Sequence, residues 1–349
     1  MMEVNVDWVR KIYADGRAWH VGNMVKWKGV YYICFVDGTG HGSEDSQIRV
    51  CASTDLENWT SQIVIGRKTI DPNLLPVGDK LLLYGVKESK SKGDSDLGFP
   101  SQQVVTSTED GTNWTEPKRC FLMNHDFWHP TEFNGRYYVA CDTVGHAPLG
   151  IHNSVDLLTS DDGERWQWVA EIVHGSDEPE YYDTTGIQFG TPAPSETALC
   201  FFDDGRLLAV TRARGHCALL STSKPPYDKW ERYLSRESRC YGSAIARVGE
   251  HILVTGRSFE NEGIRSTENK FNDKFSEHDG TQLRTGLFLY ENSDLQLRGV
   301  LPSGGDTGYA GILPVSDNKA LVAYYSTYES APGPNQGSSV YLAAVSIQS

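Results

Sequence analysis

The sequence predicts an all-β fold, a six-bladed β-propeller with four antiparallel strands in each blade. Three observations predict it. Short apolar hairpins recur six times at intervals of about 50–70 residues, which is typical of propeller blades. A polar turn sequence ending in tryptophan follows several of these hairpins. No long segment with helical periodicity interrupts them.

Each hairpin combines two apolar runs with a polar turn at its tip. The turns carry the dipeptides KG, GD, NG, DG, GE and DN, which favour a tight reversal between antiparallel strands. Aromatic residues make up 11% of the chain and 34 glycines are available for turns, which also favours strands. The second runs of the six hairpins are residues 29–37, 79–86, 135–143, 205–213, 250–258 and 318–327.

The polar turn sequences have a physical reason to form. Residues 53–59 read STDLENW, 107–114 read STEDGTNW and 159–166 read TSDDGERW, while 221–230 and 291–297 carry weaker versions. In such a turn the hydroxyl and carboxylate side chains bind the amides of the turn, glycine takes a positive φ, and tryptophan packs back on the sheet. We therefore expect the third and fourth strands of a blade to flank each turn.

The two ends of the chain are expected to close the ring. Residues 7–14 and 338–347 are both strand-like, and pairing them in the last blade joins the termini. Polar segments at 87–100 and 259–280 are interpreted as loops within the propeller. Residues 1–349 are therefore predicted to form a single domain.

Charge and composition argue against several partners and locations. The net charge of −14, from 32 basic and 46 acidic residues, argues against nucleic acid and against an anionic membrane surface. No apolar stretch approaches about 18 residues, so no membrane span is expected. The start lacks the pattern of a signal peptide, so a cytoplasmic location is expected, or a secreted or periplasmic one if a leader was removed. The seven cysteines are scattered without a CxxC pair, which favours reduced core thiols, and neither a metal nor a cofactor is predicted.

The innermost strands of a propeller start around one central opening. A polar or ionisable residue at each start would therefore converge with the others on one pocket. This convergence predicts a functional site, although packing alone explains any one of these residues. The starts of the six predicted inner strands carry His20, Asp71, His129, Glu196, Tyr241 and Tyr309.

Several of these segments resemble the sialidase (neuraminidase) superfamily. The S/T-x-D/E-x-G-x-x-W turns are similar to its Asp-boxes, or BNR repeats. Residues 194–212, PSETALCFFDDGRLLAVTR, resemble the segment in which a glutamate precedes a substrate-binding arginine by one hairpin, and 303–314, SGGDTGYAGILP, resemble the segment with the tyrosine nucleophile. The resemblance covers nearly the whole chain and extends, through an AWH segment at 18–20, to an uncharacterised bacterial sialidase-like branch.

The resemblance implies roles that also make chemical sense. Tyr309 would be the nucleophile and Glu196 the base that takes its proton, because a phenol with the usual pKa of about 10 is a poor nucleophile at neutral pH. A neutral nucleophile also avoids repulsion by a carboxylate on the reacting carbon. Arg212, with Arg257 or Arg284, would bind that carboxylate through paired hydrogen bonds.

Blade 1 departs from the family pattern. Sialidases carry an arginine where this chain has His20, and Arg17 lies three residues earlier as a possible substitute. The acid of the family lies in the loop after the first hairpin, here residues 36–47, in which Asp45 or His41 is predicted to be the general acid. The residues predicted to line the sugar pocket are His20, Asp71 and His129.

The predicted function is an exo-acting, retaining glycoside hydrolase on a terminal acidic sugar, with a carbohydrate as the partner. Two alternatives stay open. A polysaccharide lyase acting on a uronate would use His20 or His129 to abstract the C5 proton, Tyr309 as the acid, and an arginine to neutralise the carboxylate. A carbohydrate-binding propeller without turnover would use the same pocket for binding alone.

Overall fold

The computed structural model describes residues 2–40, 42–88, 101–143, 154–174, 194–213, 217–236, 238–259, 283–329 and 337–348. These residues form 24 strands in six four-stranded antiparallel sheets, which confirms the predicted propeller. The described residues contain no α-helix and therefore no helix long and apolar enough to cross a membrane.

Each blade runs from an inner strand at the central axis to an outer strand. The first strand of the chain, β1 (Glu3–Gly16), belongs to the last blade. Blade 1 contains β2 (Ala18–Trp27), β3 (Val30–Asp37), β4 (Gln47–Ser53) and β5 (Thr60–Ile65). Blade 2 contains β6 (Thr69–Val77), β7 (Lys80–Glu88), β8 (Ser101–Thr108) and β9 (Lys118–Met123). Blade 3 contains β10 (His125–Phe133), β11 (Arg136–Thr143), β12 (Ser154–Ser160) and β13 (Gln167–His174).

The second half of the chain repeats this order. Blade 4 contains β14 (Pro194–Phe201), β15 (Leu207–Ala213), β16 (Leu219–Ser223) and β17 (Trp230–Leu234). Blade 5 contains β18 (Tyr241–Val248), β19 (His251–Phe259), β20 (Leu283–Glu291) and β21 (Asp294–Val300). Blade 6 contains β22 (Thr307–Ser316), β23 (Lys319–Ser326) and β24 (Ser338–Gln348), and β1 is its outer strand.

The termini close the ring as predicted. β1 pairs antiparallel with β24, from Glu3 opposite Gln348 to Gly16 opposite Ser338. The six inner strands contact one another in a closed circle, because β22 packs against both β18 and β2. Most of the two predicted polar loops, residues 89–100 and 260–280, lies outside the described residues.

The apolar cores lie between neighbouring blades. Between blades 2 and 3, for example, Leu82 and Tyr84 pack against Phe127 and Trp166. Equivalent clusters fill the other five junctions in the described part of the chain. Burying a large apolar side chain contributes roughly 1.5–3 kcal/mol, so these junctions hold the blades in fixed positions around the axis. The structure shows no disulfide at any of the seven cysteines.

The turns between third and fourth strands have the hydrogen bonds that the sequence predicted. In blade 2, Thr108 Oγ1 accepts from the amide of Gly111 at 2.9 Å, and Asp110 Oδ1 accepts from the amides of Thr112 and Asn113 at 2.8 Å each. Gly111 has a φ of 82°, which an L-residue rarely adopts. The turns at Asp55 and Asp162 have the same hydrogen bonds. The assignment of these turns as Asp-boxes of the sialidase superfamily stays a prediction.

Candidate active site

Five inner strands carry a bulge that presents a polar side chain at the same end of the propeller axis. Each bulge interrupts the register between the inner strand and the second strand. The bulged residues have φ values between 37° and 52°, a left-handed conformation that costs about 1–3 kcal/mol for bulky side chains. Such strain is concentrated at functional sites, where the surrounding structure holds it in place. The five residues are His20, Asp71, His129, Glu196 and Tyr309.

Blade 5 has a glycine at this position, which corrects the prediction of Tyr241. Tyr241 pairs with Arg257 just before the bulge, and its hydroxyl donates to the carbonyl of Ala213 at 3.2 Å. Gly242 occupies the bulge, with a φ of 61°. A Cβ atom there would lie 3.1 Å from Cδ1 of Tyr309, so the missing side chain makes room for the Tyr309 ring.

Tyr309 and Glu196 form a buried hydrogen-bonded pair. The Tyr309 hydroxyl donates to Glu196 Oε1 at 2.6 Å, although 113 residues separate the two in the chain. Both residues are at most 8% exposed. Glu196 Oε2 is buried and has no hydrogen-bond partner among the described residues, so it can accept a hydrogen bond from a ligand.

Arg212 compensates the charge of this pair. Its Nη1 also donates to Glu196 Oε1, and its guanidinium carbon lies 5.3 Å from the centre of the Tyr241 ring. Burial acts to raise the pKa of Glu196, but the charge of Arg212 and the hydrogen bond from Tyr309 outweigh it and lower the pKa below its usual value. Glu196 is therefore a carboxylate at neutral pH and can accept a proton.

Arg257 lies against the face of the Tyr309 ring. Its guanidinium carbon is 4.9 Å from the ring centre, and its Nε donates to the carbonyl of Thr307 at 2.6 Å. Its Nη2 donates to Asp306 at 3.2 Å and to the hydroxyl of Tyr325 at 3.1 Å. These partners fix the guanidinium in place, so a positive charge is held beside the tyrosine.

Tyr309 is protonated in this environment. Burial, followed by the charge of Glu196, raises the pKa of Tyr309 well above 10, while Arg257 and Arg212 act in the opposite direction. A reaction that uses the phenol oxygen as a nucleophile would need a base, and Glu196 is within hydrogen-bond distance.

His20 and Asp71 form a second buried pair at the same opening. His20 Nδ1 lies 2.9 Å from Asp71 Oδ1, and both residues are at most 8% exposed. The imidazole ring lies 3.9 Å from the Tyr309 ring, centre to centre, and it is stacked at 5.7 Å on Trp128. The pair therefore stands directly beside the proposed nucleophile.

His129 lies deeper, where the mouth meets the central channel. This channel has a volume of about 760 Å³ and is lined by inner-strand residues that include Met24, Leu75 and Ile312. Burial and the nearby charge of His20 lower the pKa of His129 to about 4, so the imidazole is neutral at pH 7.

Asp142 is a site residue that the sequence did not reveal. It lies near the end of β11, only 6% exposed, and accepts a hydrogen bond from Trp128 Nε1 at 2.6 Å. Burial raises its pKa to about 7, with a further contribution from the charges of Glu196 and Asp71, while hydrogen bonds from Trp128 and the backbone of Glu196 oppose the shift. A signal was available, because Asp142 directly follows the apolar run 137–141.

The remaining predicted residues have other hydrogen-bond partners in the described part of the chain, or are not described. Asp45 accepts from Ser43 and Thr39, and Arg17 bridges Asp45 and Asp37 at 2.9 Å to each. These hydrogen bonds hold the pKa of Asp45 well below its usual value. Arg284 lies on β20 opposite Ser258, and its Nη1 donates to the carbonyl of Leu283 at 3.0 Å. His41 lies outside the described residues.

The described residues at this opening form two buried pairs. Among the residues that the structure describes, no group of three or more His, Cys, Asp and Glu side chains is placed to hold a metal ion. Glu196 is already engaged by Tyr309, and Asp71 by His20. Two buried acid–base pairs therefore meet at one opening.

No protein family profile and no curated protein sequence matches this chain. Solved structures do match its fold. A Dyadobacter fermentans protein of unknown function superposes with a TM-score of 0.73 at 17% identity, covering 99% of this chain and 100% of that one. Trypanosoma rangeli sialidase in complex with sialic acid gives 0.63 at 14% identity, and phage phi92 endosialidase gives 0.61 at 12%.

These similarities define the class of fold. The chain is a six-bladed propeller with the architecture of the sialidases, as the sequence resemblance implied. The match to the Trypanosoma rangeli enzyme covers 98% of this chain and 57% of that one. The match to the phage endosialidase covers 100% of this chain and 70% of that one. At these identities the similarity establishes the fold alone, and activity has to be argued from the site.

Proposed function

We propose that this protein is a retaining, exo-acting glycoside hydrolase that removes a terminal acidic sugar of the sialic or uronic type. The observation that carries the proposal is the buried hydrogen bond of 2.6 Å from the Tyr309 hydroxyl to Glu196. A phenol and an ionised carboxylate at this distance form an activated nucleophile. The similarity in fold to sialidases supports the same reading.

Three features of the site favour attack by Tyr309. Glu196 accepts the phenolic proton as the oxygen bonds to the anomeric carbon, and Arg212 keeps this carboxylate ionised before the step. Arg257 then lies 4.9 Å from the Tyr309 ring and stabilises the tyrosine oxygen when it leaves again as a phenolate. Charges that are already in position where charge develops are among the largest contributions to catalysis.

The substrate class follows from the balance of charge. A carboxylate or phenolate nucleophile would repel an anionic group on the reacting carbon, whereas a neutral phenol does not. Arg257 places a positive charge against the Tyr309 ring, and Arg212 places another at Glu196. Their hydrogen bonds to protein groups mean that a substrate carboxylate competes with Glu196 and Asp306 for them, so a weaker clamp than three open arginines is expected.

A lyase that acts on a uronate is the second candidate. His20 is held by Asp71 and lies beside Tyr309, which is an arrangement that can abstract a proton and deliver one to the leaving oxygen. A binding propeller without turnover is the third candidate, because a fold alone does not specify a reaction.

The test is to incubate the protein with sialyl and uronyl oligosaccharides and follow reducing sugar and absorbance near ~235 nm, where unsaturated uronates absorb. Release of a saturated acidic sugar, lost in Tyr309→Phe, is the expected result. Growth of absorbance identifies the lyase. Binding by calorimetry without any product, with affinity unchanged in Tyr309→Phe, identifies the binding propeller.

A further inference from the structure

Hydrolysis requires a proton donor that the Tyr309–Glu196 pair does not supply. Glu196 receives the proton of the nucleophile in the same step in which the glycosidic oxygen needs one, so a second acid has to stand on the leaving-group side. The following inference about this acid rests on the proposed function.

Three of the candidates on the described residues fit poorly. Asp45 is held as a carboxylate by Arg17, Ser43 and Thr39, and its pKa is far below the range of a proton donor at neutral pH. His129 is neutral at pH 7. Asp142 is turned to the indole of Trp128 and to the backbone of Glu196.

The His20–Asp71 pair fits on three counts. Its imidazole lies beside the nucleophile, with ring centres of His20 and Tyr309 3.9 Å apart. Asp71 Oδ1, 2.9 Å from Nδ1, orients the imidazole and fixes which ring nitrogen faces away from it. The ring of Trp128 lies 5.7 Å from the ring of His20 and 6.1 Å from that of Tyr309, so the three rings pack together and confine the imidazole. Both residues stand on strained bulges of neighbouring blades, with φ of 49° and 52°.

We propose that His20, oriented by Asp71, is the general acid of the hydrolysis and then its general base. In the first step Nε2–H of the His20 imidazolium protonates the glycosidic oxygen while the bond from that oxygen to the anomeric carbon breaks. Tyr309 bonds to the carbon and passes its proton to Glu196. In the second step His20 takes a proton from water, which attacks the carbon, and the tyrosine oxygen leaves and recovers its proton from Glu196.

The sequence resemblance places His20 where sialidases carry an arginine, so the same difference that weakens the predicted carboxylate clamp would supply a proton donor. This pairing also explains why Asp71 is buried next to His20. A buried carboxylate is retained where it has a hydrogen-bonding partner, and here that partner is His20 Nδ1.

The test compares leaving groups. Wild type, His20→Asn and Tyr309→Phe are assayed for kcat/KM on methyl and 2,4-dinitrophenyl glycosides of the sugar that wild type accepts. Asparagine tolerates the positive φ of position 20, so the backbone is preserved. The expected loss in His20→Asn is about 10²- to 10⁴-fold on the methyl glycoside, which needs an acid, and less than about 10-fold on the dinitrophenyl glycoside, which does not.

Two controls separate a proton-transfer role from a structural one. His129→Asn changes a histidine at the equivalent bulge of blade 3, with φ of 45°, and is expected to affect both glycosides by the same factor. Sodium azide added to His20→Asn should give a glycosyl azide of retained configuration, because azide attacks the tyrosyl intermediate without needing a base. Asp71→Asn is expected to show the same dependence on the leaving group as His20→Asn, in weaker form.

The outcomes distinguish this inference from the proposed function. If wild type and Tyr309→Phe are equally inactive on all glycosides, the proposed hydrolase is wrong and His20 is not its acid. If wild type is active and His20→Asn lowers kcat/KM equally on both glycosides, or on neither, the proposed hydrolase stands and the assignment of His20 as its acid is overturned.

Discussion

The two ends of the blades use the same residue types for different purposes. At the turns between third and fourth strands, exposed carboxylates such as Asp110 bind amides two and three residues away in the chain. At the central opening, Glu196 is buried and is bound by a tyrosine 113 residues away. Positive φ occurs at both ends, at Gly111 in the turn and at Glu196 and Tyr309 in the opening.

The difference shows what makes a carboxylate reactive. Local backbone amides lower the pKa of Asp110 and leave it as a fixed acceptor that stabilises a turn. Glu196 depends instead on Arg212 and Tyr309, which come from other parts of the chain and which a ligand can compete for. Removing Glu196 should therefore change both activity and stability, whereas removing Asp110 should change stability alone.

Glu196→Gln is expected to have the largest effect. It leaves the buried charge of Arg212 without its carboxylate, which destabilises a protein by about 3–5 kcal/mol when a buried ion pair is broken. It also removes the base for Tyr309, so kcat/KM should fall about 10²- to 10⁴-fold. Urea denaturation at pH 7 and a glycoside assay measure the two effects. Unchanged stability would show that Arg212 does not depend on Glu196.

Asp142→Asn is expected to change how stability depends on pH. The pKa of Asp142 is raised to about 7, so the folded chain binds this proton more tightly than the unfolded chain does. Its contribution is fully present below the unfolded pKa of about 4 and is lost as pH rises through about 7. The stability of wild type relative to Asp142→Asn should therefore fall by a few kcal/mol between pH 4 and 8. Denaturation at several pH values checks this, and a constant difference would contradict it.

The fold and the local turns could be predicted from the sequence because their causes are local or periodic. The spacing of the hairpins predicted the six blades, and the residue types in each turn predicted its hydrogen bonds. Register at the bulges was harder, since Tyr241 and Gly242 differ by one position and only the neighbouring ring of Tyr309 decides between them. The single-domain assignment and the cytoplasmic location stay predictions from the sequence.

Pairing across blades could be predicted only in part. Tyr309 and Glu196 were expected to meet because both begin inner strands, and they do. Nothing in the sequence showed that Asp71 would bind His20, because this contact depends on the rotation of neighbouring blades. The contact between Asp142 and the indole of Trp128 forms within blade 3, between the paired strands β10 and β11, and it was not predicted either.

Gly242→Ala is expected to have an intermediate effect on the opening. The added Cβ lies 3.1 Å from Cδ1 of Tyr309 and therefore displaces the ring. The alanine must also adopt a φ of 61°, which strains the backbone by about 1–2 kcal/mol. Activity should fall about 10-fold, since small displacements at a reacting centre have large effects on rate. Gly135→Ala is the matched control, because its φ is 78° but nothing lies within 4 Å. It should lose similar stability with full activity, and equal activity of the two variants would refute the displacement.

Asp110→Ala is expected to have the smallest effect, a slight decrease in melting temperature with unchanged activity. The amides of Thr112 and Asn113 lose their acceptor, but they are exposed and water can replace it. Asp162→Ala, in the equivalent turn of blade 3, should decrease the melting temperature more, because Trp166 of that turn is buried whereas Trp114 of the Asp110 turn is only partly buried. Calorimetry of both variants decides the point. A larger decrease for Asp110→Ala would mean that burial around the turn does not set the strength of these carboxylate–amide bonds.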